Sequence, residues 1–250
     1  MDLARALRTY VPDAYYVGGV VRDALLKKPS GDIDLALPKA RVKEAAQTLA
    51  KHLKAAAFEM DAEFGVWRLV TRKENLQIDL TAFQGKDLKE DLLRRDFTFN
   101  ALAYPVTAPI EIELKTLKGQ KAQVRLKKLQ QKFLIDLKGG AQDLRERQIK
   151  LSHSRVLQED PLRMLRAFRH AAEHKFVLSS SALRQIKKDA SLIVQSAGER
   201  VQEELTRLFN TPRAYENVIL MEKTGLLTAL FPLLQEQRTC AECYYGKGGV

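Results

Sequence analysis

Two aspartates separated by one isoleucine, Asp32-Ile33-Asp34, open a run to Leu37 that alternates polar and apolar residues. No other feature constrains this chain as tightly. Alternation is strand periodicity, and side chains two apart on a strand project from one face, about 6–7 Å apart along it. Two carboxylates held that way can share divalent cations. Mg²⁺ is bound through carboxylates together with substrate phosphates, and two such ions can activate a hydroxyl and stabilise a leaving pyrophosphate. An isolated Asp-x-Asp is equally the signature of a solvent-facing strand end, because charge pairs are common on surfaces. The neighbouring segments therefore carry the decision.

Three of them add weight. Gly18-Gly19 follows a strand pattern at Tyr15–Val17 and precedes a helical pattern over Val21–Lys27 that carries Arg22 and Asp23. Glycine lets backbone N–H groups approach an anion, and a helix start favours negative charge. Asp79 is a third carboxylate, set in the otherwise apolar strand Leu76–Ala82. A buried carboxylate needs a partner, either a metal or a base such as a neighbouring arginine. Arg94-Arg95-Asp96-Phe97-Thr98-Phe99-Asn100-Ala101 is a dense polar cluster in an apolar context, and helix capping by Asp96 is its plainest explanation.

The periodicities predict an α+β chain. A mixed β-sheet with helices on one side is expected in the first part, including a helix over 39–56 and a strand over Gly65–Val70. From Leu157 to Gly225 only helical patterns occur. One starts at Pro161 with Asp160 as its N-cap and buries Leu162, Leu165, Phe168 and Ala172; others span Ser181–Gln195 and Glu199–Phe209. The expected domains are a catalytic head over 1–145, a helical neck over 146–215 and the start of a helical body over 216–250. The chain carries 42 Lys+Arg against 31 Asp+Glu, a net charge of +11, which suits a polyanionic partner. Its 45% hydrophobic residues exclude wholesale disorder, and two cysteines exclude a disulfide scaffold. Without an eighteen-residue apolar run or an N-terminal apolar region, a cytoplasmic protein is the expectation. Lys115–Lys132 contains seven Lys or Arg and no acid, and reads as a solvated surface segment or as a phosphate-contacting arm.

Val17-Gly18-Gly19-Val20-Val21-Arg22-Asp23 followed by Gly31-Asp32-Ile33-Asp34-Leu35 resembles the signature of bacterial class II tRNA nucleotidyltransferases and poly(A) polymerases, the CCA-adding group. Arg94–Ala101 resembles that family's second motif. Ile135–Leu144 resembles the third, a hinge, with Leu137 where the family usually has proline. Gln158–Arg169 resembles the fourth and Gly198–Leu205 the fifth. The resemblance covers residues 15 to about 210. It implies nucleotide addition to the tRNA 3′ end from CTP, with ATP as a further substrate, and Mg²⁺ held by Asp32 and Asp34, Asp79 being a supporting catalytic carboxylate. It also implies that Gly18, Gly19 and Arg22 hold the triphosphate, and that Arg95, Asp96 and Asn100 face the ribose and phosphates. Asp160 and Arg163 would act as a protein template for the incoming base, with Arg166 beside them in the nucleotide-contacting set. Three apart at a helix start, Asp160 and Arg163 share a face, and a carboxylate that accepts beside a guanidinium that donates can read a base edge.

Two departures matter. Only fourteen residues separate Asp79 from Arg94. Family members that build the whole CCA usually carry a longer loop here, so the short one resembles the CC-adding subgroup. The chain also stops early, as a catalytic head and neck with little of the helical body, so that a fragment and a minimal enzyme are both open readings. Cys240 and Cys243 have zinc-ligand spacing without a second pair, which favours free thiols. A poly(A) polymerase and a non-catalytic RNA-binding fragment are the competing functions.

Overall fold

The computed structural model describes residues 3–116 and 120–234. Cys240, Cys243 and residues 117–119 of the basic run therefore lie outside the described residues. The chain divides into two compact units, Met1–Glu146 and Arg147–Val250.

The first unit runs α1 (Leu3–Tyr10), β1 (Tyr15–Val17), α2 (Gly19–Leu25), β2 (Ile33–Leu37), α3 (Lys39–Leu53), β3 (Ala55–Asp61), β4 (Val66–Thr71), β5 (Gln77–Ala82), α4 (Leu88–Arg94), β6 (Leu102–Pro105), β7 (Glu111–Lys115), β8 (Gln123–Lys127), β9 (Ile135–Asp136) and α5 (Gly140–Glu146). Seven strands form one mixed sheet in the order β3-β4-β5-β2-β1-β6-β9. Only β2 and β5 run parallel, Asp34 opposite Asp79. Parallel neighbours cannot be joined by a tight turn, and α3 with the β3–β4 hairpin supplies the crossover.

Ile33, Leu35, Leu69, Ile78 and Leu80 are inaccessible on one face of the sheet. There α3 covers β3, β4 and β5, presenting Val42, Ala45, Ala46 and Leu49 at helical spacing. The opposite face is not bare: Val17, Ala36 and Ala103 pack against Leu92, with Leu88 alongside. Helices therefore cover both faces, which corrects the one-sided expectation. Alternate strand residues are apolar towards both sides around β1, β2 and β6, so both sides demand cover. The helix over 39–56 also ends earlier. Lys54 adopts a left-handed conformation (φ 52°) that closes α3, and Ala55 starts β3, which the alanine-rich sequence hid.

The second unit holds β10 (Gln148–Ile149), α6 (Val156–Glu159), α7 (Arg163–His174), β11 (Val177–Leu178), α8 (Ser180–Asp189), α9 (Gly198–Phe209), α10 (Ala214–Lys223) and α11 (Leu226–Leu230). A short parallel pair, β10 with β11, interrupts the expected all-helical run. The expected helix over Ser181–Gln195 is α8 followed by a 3-10 segment, Ala190–Gln195. The helix expected from Pro161 begins at Arg163, after an extended Asp160 that ends α6. The expected stripe Leu162, Leu165, Phe168 and Ala172 is buried. Beside it lies a buried charge, Arg169, whose guanidinium donates to Glu204 of α9 at 2.5 Å and to Glu173 at 2.6 Å. Burial pushes its pKa down, opposed by those two carboxylates.

Candidate active site

Asp34 sits on β2, the sheet's fourth strand. Asp34, Asp79 and Arg68 stand in lateral register across β2, β5 and β4, so all three rise from one face. Both oxygens of Asp79 are engaged: Arg68 donates to them at 2.9 and 2.8 Å, and Gln77 adds a bond at 2.9 Å. The bidentate pair raises the Arg68 pKa. Asp79 thus has an arginine partner, and Arg68 is a site residue that the sequence did not single out. Asp32 stands one residue before β2 rather than within it.

Asp34 is half-buried and keeps some solvent contact. Its carboxyl is pushed from 3.8 to about 7, first by burial, then by Asp32 and Asp79, against the pull of Arg95 and Arg22. A carboxyl held that high beside two others is a group that a cation would relieve. The donor set is all hard oxygen, which suits Mg²⁺.

The backbone of Gly18-Gly19 lines the same place. Gly18 has φ 63°, and a Cβ there would lie 2.9 Å from Arg95 Nη1 and 3.9 Å from Asp34 Oδ2; one on Gly19 would lie 3.7 Å from Asp34 Oδ2. Bare backbone at these positions keeps the carboxylate and two guanidinium groups within reach of one small volume. The arginines are preset by neighbouring acids. Arg22 donates to both oxygens of Asp23 at 2.8 and 2.9 Å and to Asn100 Oδ1 at 3.1 Å. Asn100 in turn donates to Asp96 at 2.9 Å. Arg95 donates to Asp91 at 3.1 and 2.9 Å. Asp23, Asp91, Asp96 and Asn100 are all buried. The sequence pointed to Arg22, Arg95, Asp96 and Asn100; it gave Asp23 and Asp91 no role, because orienting acids differ from surface acids only by burial.

The third motif fastens this cluster from behind. Asp136 accepts from the N–H groups of Gly140 (2.9 Å) and Ala141 (3.0 Å), capping α5. Asp143 accepts from the Thr98 hydroxyl at 2.6 Å. Gly140 touches backbone: a Cβ there would come 2.1 Å from the Thr98 carbonyl oxygen.

The basic run contributes unexpectedly. It supplies the last residue of β7 and all of β8 in the β7–β8 ribbon, and β8 docks beside the Asp32 loop through paired backbone bonds between Ser30 and Val124 at 2.7 and 2.8 Å. From two residues before that strand, Lys121 Nζ reaches within 3.7 Å of Asp32 Oδ2.

In the second unit, Arg163 N–H donates to the Asp160 carbonyl at 3.1 Å, and the two side chains turn to other partners. Asp160 accepts from Arg200 at 2.9 Å and caps Leu162 N–H at 3.2 Å. Arg163 donates to the Val156 carbonyl at 3.1 Å and to Glu159 at 3.4 Å. Asp160 is extended and precedes the helix that Arg163 starts, so the two residues stand across the helix boundary rather than within one turn. Arg166 lies 3.8 Å from Glu204. Among the described residues, His170, Glu173 and His174 bring one nitrogen or oxygen each within 4.8 Å of one another. The Arg169 guanidinium already contributes positive charge there, bonding Glu173 at 2.6 Å and approaching His170 at 3.2 Å.

Residues 14–150 match the family model described as the poly A polymerase head domain, and residues 175–238 match one described as a probable RNA and SrmB binding site of polymerase A. The chain is 34% identical to a CC-adding tRNA nucleotidyltransferase of Geobacter sulfurreducens over 87% of its own length and 45% of the relative's. It is 35% identical to an A-adding tRNA nucleotidyltransferase of Deinococcus radiodurans over 92% and 48%. Among solved structures, a tRNA-processing enzyme with CTP superposes with a TM-score of 0.72 at 30% identity, covering 90% of this chain and 57% of that one. The chain spans about half the length of the curated relatives it matches. No helix among the described residues is long and apolar enough to cross a membrane.

Proposed function

The chain belongs to the poly A polymerase head-domain family, and from that premise we propose that it is the head and neck of a tRNA nucleotidyltransferase that adds C residues to a tRNA 3′ end without a nucleic-acid template. The observation that carries this reading is Asp34: a carboxyl enclosed between Asp32 and Asp79, beside bare glycine backbone and two preset arginines. In the reaction the terminal 3′-hydroxyl oxygen bonds to the α-phosphorus of CTP while the bond to pyrophosphate breaks. Asp32 and Asp34 would hold Mg²⁺, which when bound neutralises phosphate charge and activates the hydroxyl. Arg22 and Arg95 would meet the triphosphate, and because Asp23, Asn100 and Asp91 already orient them, little reorganisation accompanies charge development. Arg68 holds Asp79 in place beside Asp34. The net charge of +11 suits a phosphate backbone, so tRNA binding should weaken steeply with salt.

Base choice falls to the second unit. Asp160 accepts and Arg163 donates, a combination that suits cytosine, and Arg200 holds the Asp160 carboxylate. Replacing Asp160 with alanine is expected to lower discrimination between CTP and UTP by about tenfold or more, while Mg²⁺ dependence stays put. Competition between the two nucleotides in single-addition assays measures it, and unchanged discrimination would remove the template role.

Support for CC addition comes from the β5–α4 link. Only residues 83–87 lie between Ala82 and Leu88. Those few are tied down: Gln84 N–H donates to Asp91, Lys86 N–H to Glu90, and Glu90 N–H to Asp87. A tied link cannot reshape the pocket from C to A. Given tRNA ending before CCA, with CTP and ATP, the expected product is two nucleotides longer. A third, terminal A would overturn CC specificity. Addition of A to a CC end would favour the activity named for the Deinococcus relative, and ATP-driven extension of any RNA would favour a poly(A) polymerase.

A further inference from the structure

We infer that Lys121 is a resident counter-cation of the active site, one that a metal ion must displace from Asp32 and that bound nucleotide then receives. The inference rests on the reading of Asp32 and Asp34 as metal carboxylates. Each of the three carboxylates lies in the field of a cation. Asp79 has Arg68, Asp34 feels Arg95 and Arg22, and Asp32 has Lys121 at 3.7 Å, both side chains being partly exposed (42% and 36%).

The position of Lys121 is built rather than incidental. On its C-terminal side Ala122 N–H bonds the Asn75 carbonyl at 3.3 Å, and Ser30 and Val124 exchange two bonds. Arg125 donates to the Lys27 carbonyl at 2.6 Å. Ala122 and Val124 are buried. The ribbon is thus fixed against the loop that carries Asp32, and the lysine root with it. Other cations of the same run are committed elsewhere, Lys127 to Glu113 and Lys128 to Glu111.

The contact itself is exchangeable. An ammonium on a four-carbon stem is strongly hydrated and mobile, and a half-exposed pair is weak. A divalent cation can therefore take its place on Asp32. Displacement by metal alone leaves the ammonium close to a doubly charged ion, which opposes it. When a triphosphate arrives with the metal, the freed ammonium has an anion to pair with and the opposition disappears. Metal and nucleotide binding are coupled in this way, and the coupling is reciprocal. Lys121 is a positioning residue: it acts through Asp32 and couples metal binding to nucleotide binding.

The test is Mn²⁺ titration, followed by electron paramagnetic resonance, of the wild type, Lys121→Ala, Lys121→Arg and Asp32→Asn, with and without CTP and with no RNA present. Without CTP, Lys121→Ala is expected to bind Mn²⁺ about three- to fivefold more tightly than the wild type, the scale of a half-exposed ion pair. Lys121→Arg should stay close to the wild type, and the gain should vanish when CTP is present. Equal affinity of wild type and Lys121→Ala without CTP overturns the counter-cation role, and a gain that persists with CTP overturns the hand-over to nucleotide. A wild type that binds no Mn²⁺ even with CTP, or an Asp32→Asn variant that binds as well as the wild type, would instead overturn the metal reading of the site and this inference with it.

Discussion

Asp34→Asn is expected to abolish nucleotide addition and, in metal-free buffer above neutral pH, to stabilise the protein. The first effect follows from removing a charge that would hold Mg²⁺, with a loss of about 10³-fold or more, about 4 kcal/mol of barrier. The second has a definite sign. The Asp34 carboxyl is raised from 3.8 to about 7 in the folded chain, so the fold prefers it protonated. Its contribution to stability is fully present below pH 3.8 and is lost as pH rises through 7. The full shift corresponds to at most about 4 kcal/mol, and the solvent contact that Asp34 keeps reduces this. Melting temperatures in EDTA should therefore fall for the wild type between pH 4 and 8, relative to Asp34→Asn. Adding Mg²⁺ at pH 8 should restore the wild type and leave the variant unmoved. Parallel melting profiles across that range would show that the carboxyl is not enclosed as described.

Gly140→Ala is expected to damage the fold where the site is fastened. The new Cβ would sit 2.1 Å from the Thr98 carbonyl oxygen and 3.0 Å from Phe99 Cα. Neither is the end of a flexible side chain, so α5 must back away from the Thr98–Asn100 turn. That motion strains the Asp143–Thr98 bond and the bonds that Asp136 accepts from Gly140 and Ala141. The expected cost is about 3 kcal/mol, or roughly 6–12 °C in melting temperature for a chain of this size. Addition rates should fall with it, because Asn100 in the same turn orients Arg22. Gly139→Ala is the internal comparison: its φ of 74° strains any side chain, but nothing lies within 4 Å. It should cost only about 1–2 kcal/mol. Equal losses from the two variants would contradict the close-packing account.

Much of the candidate site was legible in the primary structure, for a local reason. Gly18, Gly19 and Asp34 owe their places to turn and strand patterns a few residues long, and Arg95, Asp96 and Asn100 share one short segment. The third motif, which contains Gly139-Gly140, is a hinge by resemblance. In the folded chain Gly140 is where two backbones touch, a requirement for absence of bulk that looks identical in sequence to a requirement for freedom. The basic run offered a solvated surface or a phosphate arm. Pairing of β7 with β8 turned it into a ribbon that delivers one lysine to Asp32, and no periodicity within the run forecasts that target. The partners of Asp160 and Arg163 were hidden for a related reason: Arg200 lies forty residues from Asp160, and no local spacing points to it.

By itself, the sequence determined the α+β character, the helical second half, the surplus of positive charge and the identity of the groups able to bind metal and phosphate. These follow from side-chain chemistry and from periodicities of two and 3.6 residues. Only the tertiary structure decided which opposite charge each of those groups faces: Arg68 on Asp79, Lys121 on Asp32, Arg200 on Asp160, and burial on Asp34. Coulomb interaction and desolvation depend on distances through space between residues far apart along the chain, and chain packing alone sets those distances.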